Sequence, residues 1–207
     1  GRAGTHALRH RGPDHGGEWF DRKRGVFLGH RRLSIIDLQE ASNQPMVSNN
    51  LVLSYNGEIY NYKSLRNELM ARKAVFASKG DTEVLLNGWK EEGESFLHST
   101  DAMFAFALWD AAKSELILVR DRLGKKPLLY RAEAGRCTFA SELAALETLL
   151  ELAPPLNQQA LRMLFTLRYV PEPLSIAEGV CKLPGGHMAR VTMAGVEVRR
   201  WYDPLAG

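Results

Sequence analysis

Cysteine is scarce in this chain: among 207 residues only Cys137 and Cys181 carry a thiol, far apart and without the short spacings of a metal knuckle. That excludes a disulfide framework and a zinc ribbon, and both thiols are expected to be small core residues of a cytoplasmic protein. Long apolar runs are also missing. No stretch approaches the ~18 residues needed to span a bilayer, and no charged-then-apolar leader opens the chain. Charge of one sign is lacking too, because 27 basic residues against 24 acidic ones leave a formal +3. A nucleic-acid partner would call for a basic face, and the one tight cluster, Arg22-Lys23-Arg24, adjoins Gly25 and reads as a solvated turn. Hydrophobic residues at 45% and charged residues at 25% are ordinary for a globular chain, and the length admits one large domain or two small ones.

What is present is a series of strands with helices between them. "VFLGHRRLSIID" (26–37) and "LVLSY" (51–55) read as strands flanking a polar loop with Asn43, Gln44 and Pro45. Helical spacing runs from about Asn61 to Arg72, and Asp81 is a good N-cap for a second helix whose stripe is Val84, Leu85 and Trp89. "MFAFALWD" and "LILVRD", joined across 110–114, form a hairpin that needs cover on both faces. A second hairpin turns at Ala134-Gly135, short helices are expected at about 142–150 and 157–167, and a terminal hairpin turns at Ala194-Gly195. Residues 169–191 are rich in Pro and Gly and read as a connector toward another domain. Antiparallel hairpins with helices outside them make an α+β layered fold.

The stretch "LSYNGEIYNYKSL" poses the functional question. Asn-Gly is the commonest hairpin signal, yet the residues after it, Tyr62, Leu65 and Leu69, fall at helical spacing. The pair is therefore expected at a strand-to-helix corner, where backbone N–H groups and a side-chain amide face an anion or oxyanion.

Eight motifs in order, "HRGPD" (10–14), "LGHRRLSIID" (28–37), "NQPM" (43–46), "YNGEIYNY" (55–62), "GDTEVLL" (80–86), "MFAFALWD" (103–110), "RDRLGKKPLLY" (120–130) and "FASELAAL" (139–146), resemble the glutaminase domain of asparagine synthetases. That is a class II glutamine amidotransferase of the N-terminal-nucleophile type. The resemblance implies a four-layer αββα sandwich of two mainly antiparallel sheets, with residues 1–150 as the glutaminase domain and 151–207 as its remainder and a connector to a synthetase domain. It implies a thiolate at the first residue of the mature chain, with the chain's own α-amino group as base. Asn56 and Gly57 match the oxyanion donors, Arg32 the guanidinium that grips the glutamine carboxylate, and Asp81 the acid that receives the ammonium, helped by Glu58 and by the backbone around Leu33, Ser34, Ile35 and Ile36. Arg11 matches an arginine near the nucleophile.

Each of these residues has an ordinary reading as well. Asp81 before a helix is a cap by default. Of Arg31 and Arg32, alternation turns one inward and leaves the other at a solvated rim; the family register, not composition, selects Arg32. Gly12-Pro13-Asp14 is strong turn chemistry around His10 and Arg11, Lys125 and Lys126 are surface charge, and Trp89 and Trp109 are packing residues. The sequence opens at Gly1, nine residues before His10, so the resemblance implies that the nucleophile and its strand lie outside this chain, a fragment of a longer enzyme, and that their strand leaves a gap in one sheet. ATP and Mg2+ are expected for the synthetase domain, none for this one, and a homodimer is an expected assembly. The function implied is glutamine hydrolysis feeding ammonia to the amidation of aspartate. Two alternatives stay open: another carboxylate acceptor, a sugar acid or peptide, and an inactive glutamine-binding module.

Overall fold

Met103–Trp109 carries no polar side chain, so a strand built from it is stable only between two covered faces, and the rest of the fold supplies them. The structure, a computed structural model, describes residues 1–33, 39–150 and 153–205. In chain order the elements are α1 (Arg2–Ala7), β1 (His15–Asp21), β2 (Val26–Arg32), β3 (Met46–Ser48), β4 (Leu51–Ile59), α2 (Tyr62–Ala71), α3 (Asp81–Glu92), α4 (Phe96–Ser99), β5 (Ala102–Asp110), β6 (Glu115–Arg120), β7 (Leu129–Glu133), β8 (Arg136–Ala140), α5 (Leu143–Leu150), α6 (Gln158–Leu167), β9 (Cys181–Lys182), β10 (His187–Thr192) and β11 (Gly195–Arg200).

Six strands form one antiparallel sheet in the order β11-β10-β6-β5-β4-β3, with the hairpin β5–β6 at its centre. One face buries Leu53, Tyr55, Ile59, Phe104, Phe106 and Val119 under α2 and α3, with Trp89 closing the layer. The other face presents Val52, Ala105, Ala107 and Trp109 to a second layer made of the hairpin β1–β2 and the three strands β8-β7-β9, through Leu28 and Leu128. Outside that layer, α5 packs Ala145 and Leu146 onto Ala140, with Ala7 and Leu8 of the α1 end beside them. The order is thus helices, sheet, sheet, helices, the expected αββα sandwich. Among the described residues, neither β2 nor β8 has a strand partner on its inner side, so the second layer is split between them.

Several expectations need correction. The strand that opens at Leu51 does not end near Tyr55 but runs through Asn56 and Gly57 to Ile59, pairing with β5 along its length. The N-cap of the third helix is Gly80, and Asp81 is its first residue. The terminal hairpin is part of the body: β10 pairs with β6, and Trp201 is buried in the first core and donates its indole N–H to the Arg120 carbonyl at 3.0 Å. The strand at 26–37 is seen to end at Arg32, and Ser34, Ile35 and Ile36 lie outside the described residues. Among the described residues, no helix is long and apolar enough to cross a membrane.

Candidate functional site

Between β2 and β8, over β4 and β5, lies a cleft of about 750 Å3 lined among others by Arg32, Asn56, Gly57, Glu58, Asp81 and Cys137. Its chemistry comes from the free edge of β4. In an antiparallel strand a residue's N–H and C=O point to the same side. Phe104, the partner of Gly57, turns both of its groups toward Asp121: its carbonyl accepts from the Asp121 N–H at 2.8 Å, and its N–H donates to Asp121 Oδ2 at 3.2 Å. Gly57 therefore gets nothing from β5, and its N–H points away from that strand. The same parity holds for Tyr55 and Ile59, whose N–H groups donate to Gln44 Oε1 at 2.6 Å and to Asp81 Oδ2 at 3.0 Å.

That edge is open because β3 is short. Its ladder covers only Leu51–Leu53, and Pro45, directly before Met46, has no N–H with which to extend it. Gln44 replaces backbone with side chain at Tyr55, Asp81 does so at Ile59, and among the described residues nothing accepts from the Gly57 N–H between them. Asn56 belongs with Val52 and Ser54 on the β4 face turned to the second layer, so a side-chain amide and a backbone N–H meet at one corner of the cleft. Gly57 has no substitute here, since a Cβ would come within 2.4 Å of the Met103 carbonyl oxygen and 2.7 Å of Phe104 Cβ.

The charged groups are held separately. Arg32 Nη1 donates to Asn43 Oδ1 at 2.9 Å and to the Gln39 carbonyl at 3.3 Å. Arg31 takes the other direction and ties down the turn at Gly12 and Pro13, its Nε 2.8 Å from the Gly12 carbonyl. Alternation thus assigns the two arginines different tasks, with the outer one holding the "HRGPD" turn. Arg11 forms an ion pair with Glu142 Oε1 at 2.7 Å, holding the Glu142 carboxyl below its usual range, and His10 meets the other oxygen. Asp81 is buried, and burial pushes its carboxyl up, while the Ile59 N–H, the Tyr55 hydroxyl and the first N–H groups of α3 favour its charged form. Leu33 is exposed at the cleft rim.

His30 and Ser54 line the same cleft; both lie inside stretches read from the sequence, but neither is assigned a role there. Ser54 Oγ lies 3.2 Å from the Gly29 carbonyl and 3.4 Å from His30 Nδ1. Burial, with the charges of Arg32, His15 and Arg31, lowers the imidazole to about 4. In the sequence Asn43 and Gln44 read as loop residues within the motif "NQPM" and are given no role, although the second amide caps the β4 edge and the first steadies Arg32. Cys137 is placed on the cleft wall, and burial pushes its thiol up to about 11.

A split αββα sandwich with amide and N–H donors, a guanidinium and a carboxylate around one cleft defines a class of amide-processing domain. Residues 2–202 match the glutamine amidotransferase domain model, and the chain belongs to that family. It is 42% identical over 200 residues to a candidate glutamine-hydrolyzing asparagine synthetase of Mycobacterium tuberculosis, covering 90% of this chain and 30% of that protein. With asparagine synthetase [glutamine-hydrolyzing] 3 of Bacillus subtilis the identity is 33% over 204 residues, 96% of this chain and 33% of the relative. The chain thus spans about a third of the length of these curated relatives. Among solved structures, the glutamine phosphoribosylpyrophosphate amidotransferase of B. subtilis superposes with a TM-score of 0.69 at 20% identity, over 97% of this chain and 46% of that one, a likeness of fold.

Proposed function

We propose that the cleft binds glutamine and stabilises the oxyanion formed when a thiolate attacks its carboxamide, releasing ammonia for a synthetase activity in the same protein that amidates aspartate. The observation that carries this is the Gly57 N–H, without an acceptor among the described residues, at a strand edge beside the Asn56 amide. Donors already fixed where charge develops lower a barrier without reorganising during the reaction. Arg32 suits the substrate carboxylate, since a guanidinium fork matches two oxygens, and Asp81 suits the ammonium.

The thiolate adds to the amide carbon, ammonia leaves on collapse of the tetrahedral adduct, and water cleaves the thioester to glutamate. The nucleophile of this reading sits on a strand seated in the slot between β2 and β8, where two edges unpaired among the described residues face each other. Cys137 is no substitute, because a thiol near 11 is protonated at neutral pH and has no adjacent α-amino base. Activation of aspartate by ATP with Mg2+ belongs, in this reading, to the length of the relatives that this chain does not span.

The test is ammonia release from glutamine by three versions: residues 1–207 alone, the chain preceded by a native segment that begins with Cys, and the same with that Cys replaced by Ala. Turnover is expected from the second only. Turnover by residues 1–207 alone would refute the seated-strand mechanism and turn attention to Cys137.

A further inference from the structure

We infer that Tyr55 is a positioning residue for the recognition of the substrate's α-ammonium, acting through Asp81; this rests on the reading of Asp81 as the ammonium's acceptor. The Tyr55 ring lies in the core between the main sheet and α2 and α3, where a phenylalanine would pack as well. A buried hydroxyl is costly unless bonded. This one has its acceptor: Tyr55 Oη donates to Asp81 Oδ2 at 2.9 Å.

The bond matters because of where Asp81 stands. An aspartate in the first turn of a helix has a competing use, folding its carboxylate back onto the helix's own unpaired N–H groups, and the N-cap Gly80 offers no side chain to occupy them. The first N–H groups of α3 do reach the Asp81 carboxylate, and Tyr55 and the Ile59 N–H converge on Oδ2 from the sheet side, fixing the carboxylate between strand and helix. Among the described residues no side chain donates to Oδ1, so the ammonium meets no side-chain competitor there. Hydrogen bonds to a carboxylate also favour its charged form, offsetting the burial that disfavours it. Tyr55 and Asn56 are neighbours on β4, so one strand supplies the oxyanion amide from one face and the tether for the ammonium site from the other.

The experiment compares two ligands that do not react. L-Glutamate and glutarate share both carboxylates and differ in the ammonium, so the ratio of their dissociation constants on the complete protein, by titration calorimetry, reports ammonium recognition alone. Tyr55→Phe, which deletes one buried oxygen, is expected to lower that preference about tenfold, the scale of one hydrogen bond to a charged group. Asp81→Asn should abolish it. Trp89→Phe, a change in the same core away from the cleft, should leave it intact. A Tyr55→Phe protein that keeps the full preference, or weakens both ligands equally, overturns the inference. If Asp81→Asn abolishes the preference while Tyr55→Phe does not, only the role of Tyr55 falls. If Asp81→Asn keeps it as well, the reading of Asp81 falls and takes this inference with it.

Discussion

On the proposed reading, Asn56 and Gly57 divide one task between a side chain and a backbone, and the two halves fail differently. Asn56→Ala removes a donor and leaves the ladder to β5 intact, so kcat for glutamine hydrolysis in the complete protein should fall about 10²- to 10³-fold with little change in KM. Gly57→Ala puts a carbon against the Met103 carbonyl, and the expected result is a loss of stability of about 1–3 kcal/mol in denaturant unfolding. Arg32→Ala should raise the KM for glutamine and leave synthesis from free ammonia intact; equal loss of both would make Arg32 structural. The residue types of this site were legible in the sequence, but their geometry was not. Asn and Gly are poor strand formers, so the propensities at 56–57 read as a corner, and pairing with β5 overrode them. Asp81 was displaced by one position, because a glycine N-cap leaves no side-chain signal to separate it from the aspartate after it.

Among the elements, those with a strong period or run were legible: the central hairpin, α2, α5 and α6. For α6 the signal extends to its cap, since Asn157 Oδ1 accepts from the Ala160 N–H at 3.0 Å. Asn157→Ala should therefore cost about 1 kcal/mol, read as a lower unfolding midpoint. The strand β1 was not legible, because His15, Gly16 and Gly17 have little strand propensity. Gly17 is there for space: a Cβ would come within 1.9 Å of the Gln44 carbonyl oxygen. That packing holds the loop from which Gln44 reaches Tyr55. Carried on in register, the ladder of β3 would set Gln44 opposite Tyr55 and Ser42 opposite Gly57; by stopping at Met46 it leaves the Gly57 donor open.

At the scale of the whole molecule, the half-buried His30 couples the cleft to pH. Its folded value near 4 lies below the 6.5 of an unfolded histidine, so the unfolded chain takes up the proton first. The stability from keeping His30 neutral is complete above 6.5 and is lost as pH falls toward 4, by about 2 kcal/mol at pH 5. His30→Gln should flatten that part of the curve, measured as urea midpoints at pH 7 and pH 5; an unchanged slope would place the dependence elsewhere. The split second layer bears on how the molecule is made. The walls of the slot come from β2 and β8, distant in sequence, and they face each other only after both have settled on the main sheet. On the proposed reading, a strand seated between them has its place only once both walls stand. The order of assembly would then act as a safety catch, with glutamine cleavage waiting on the finished fold.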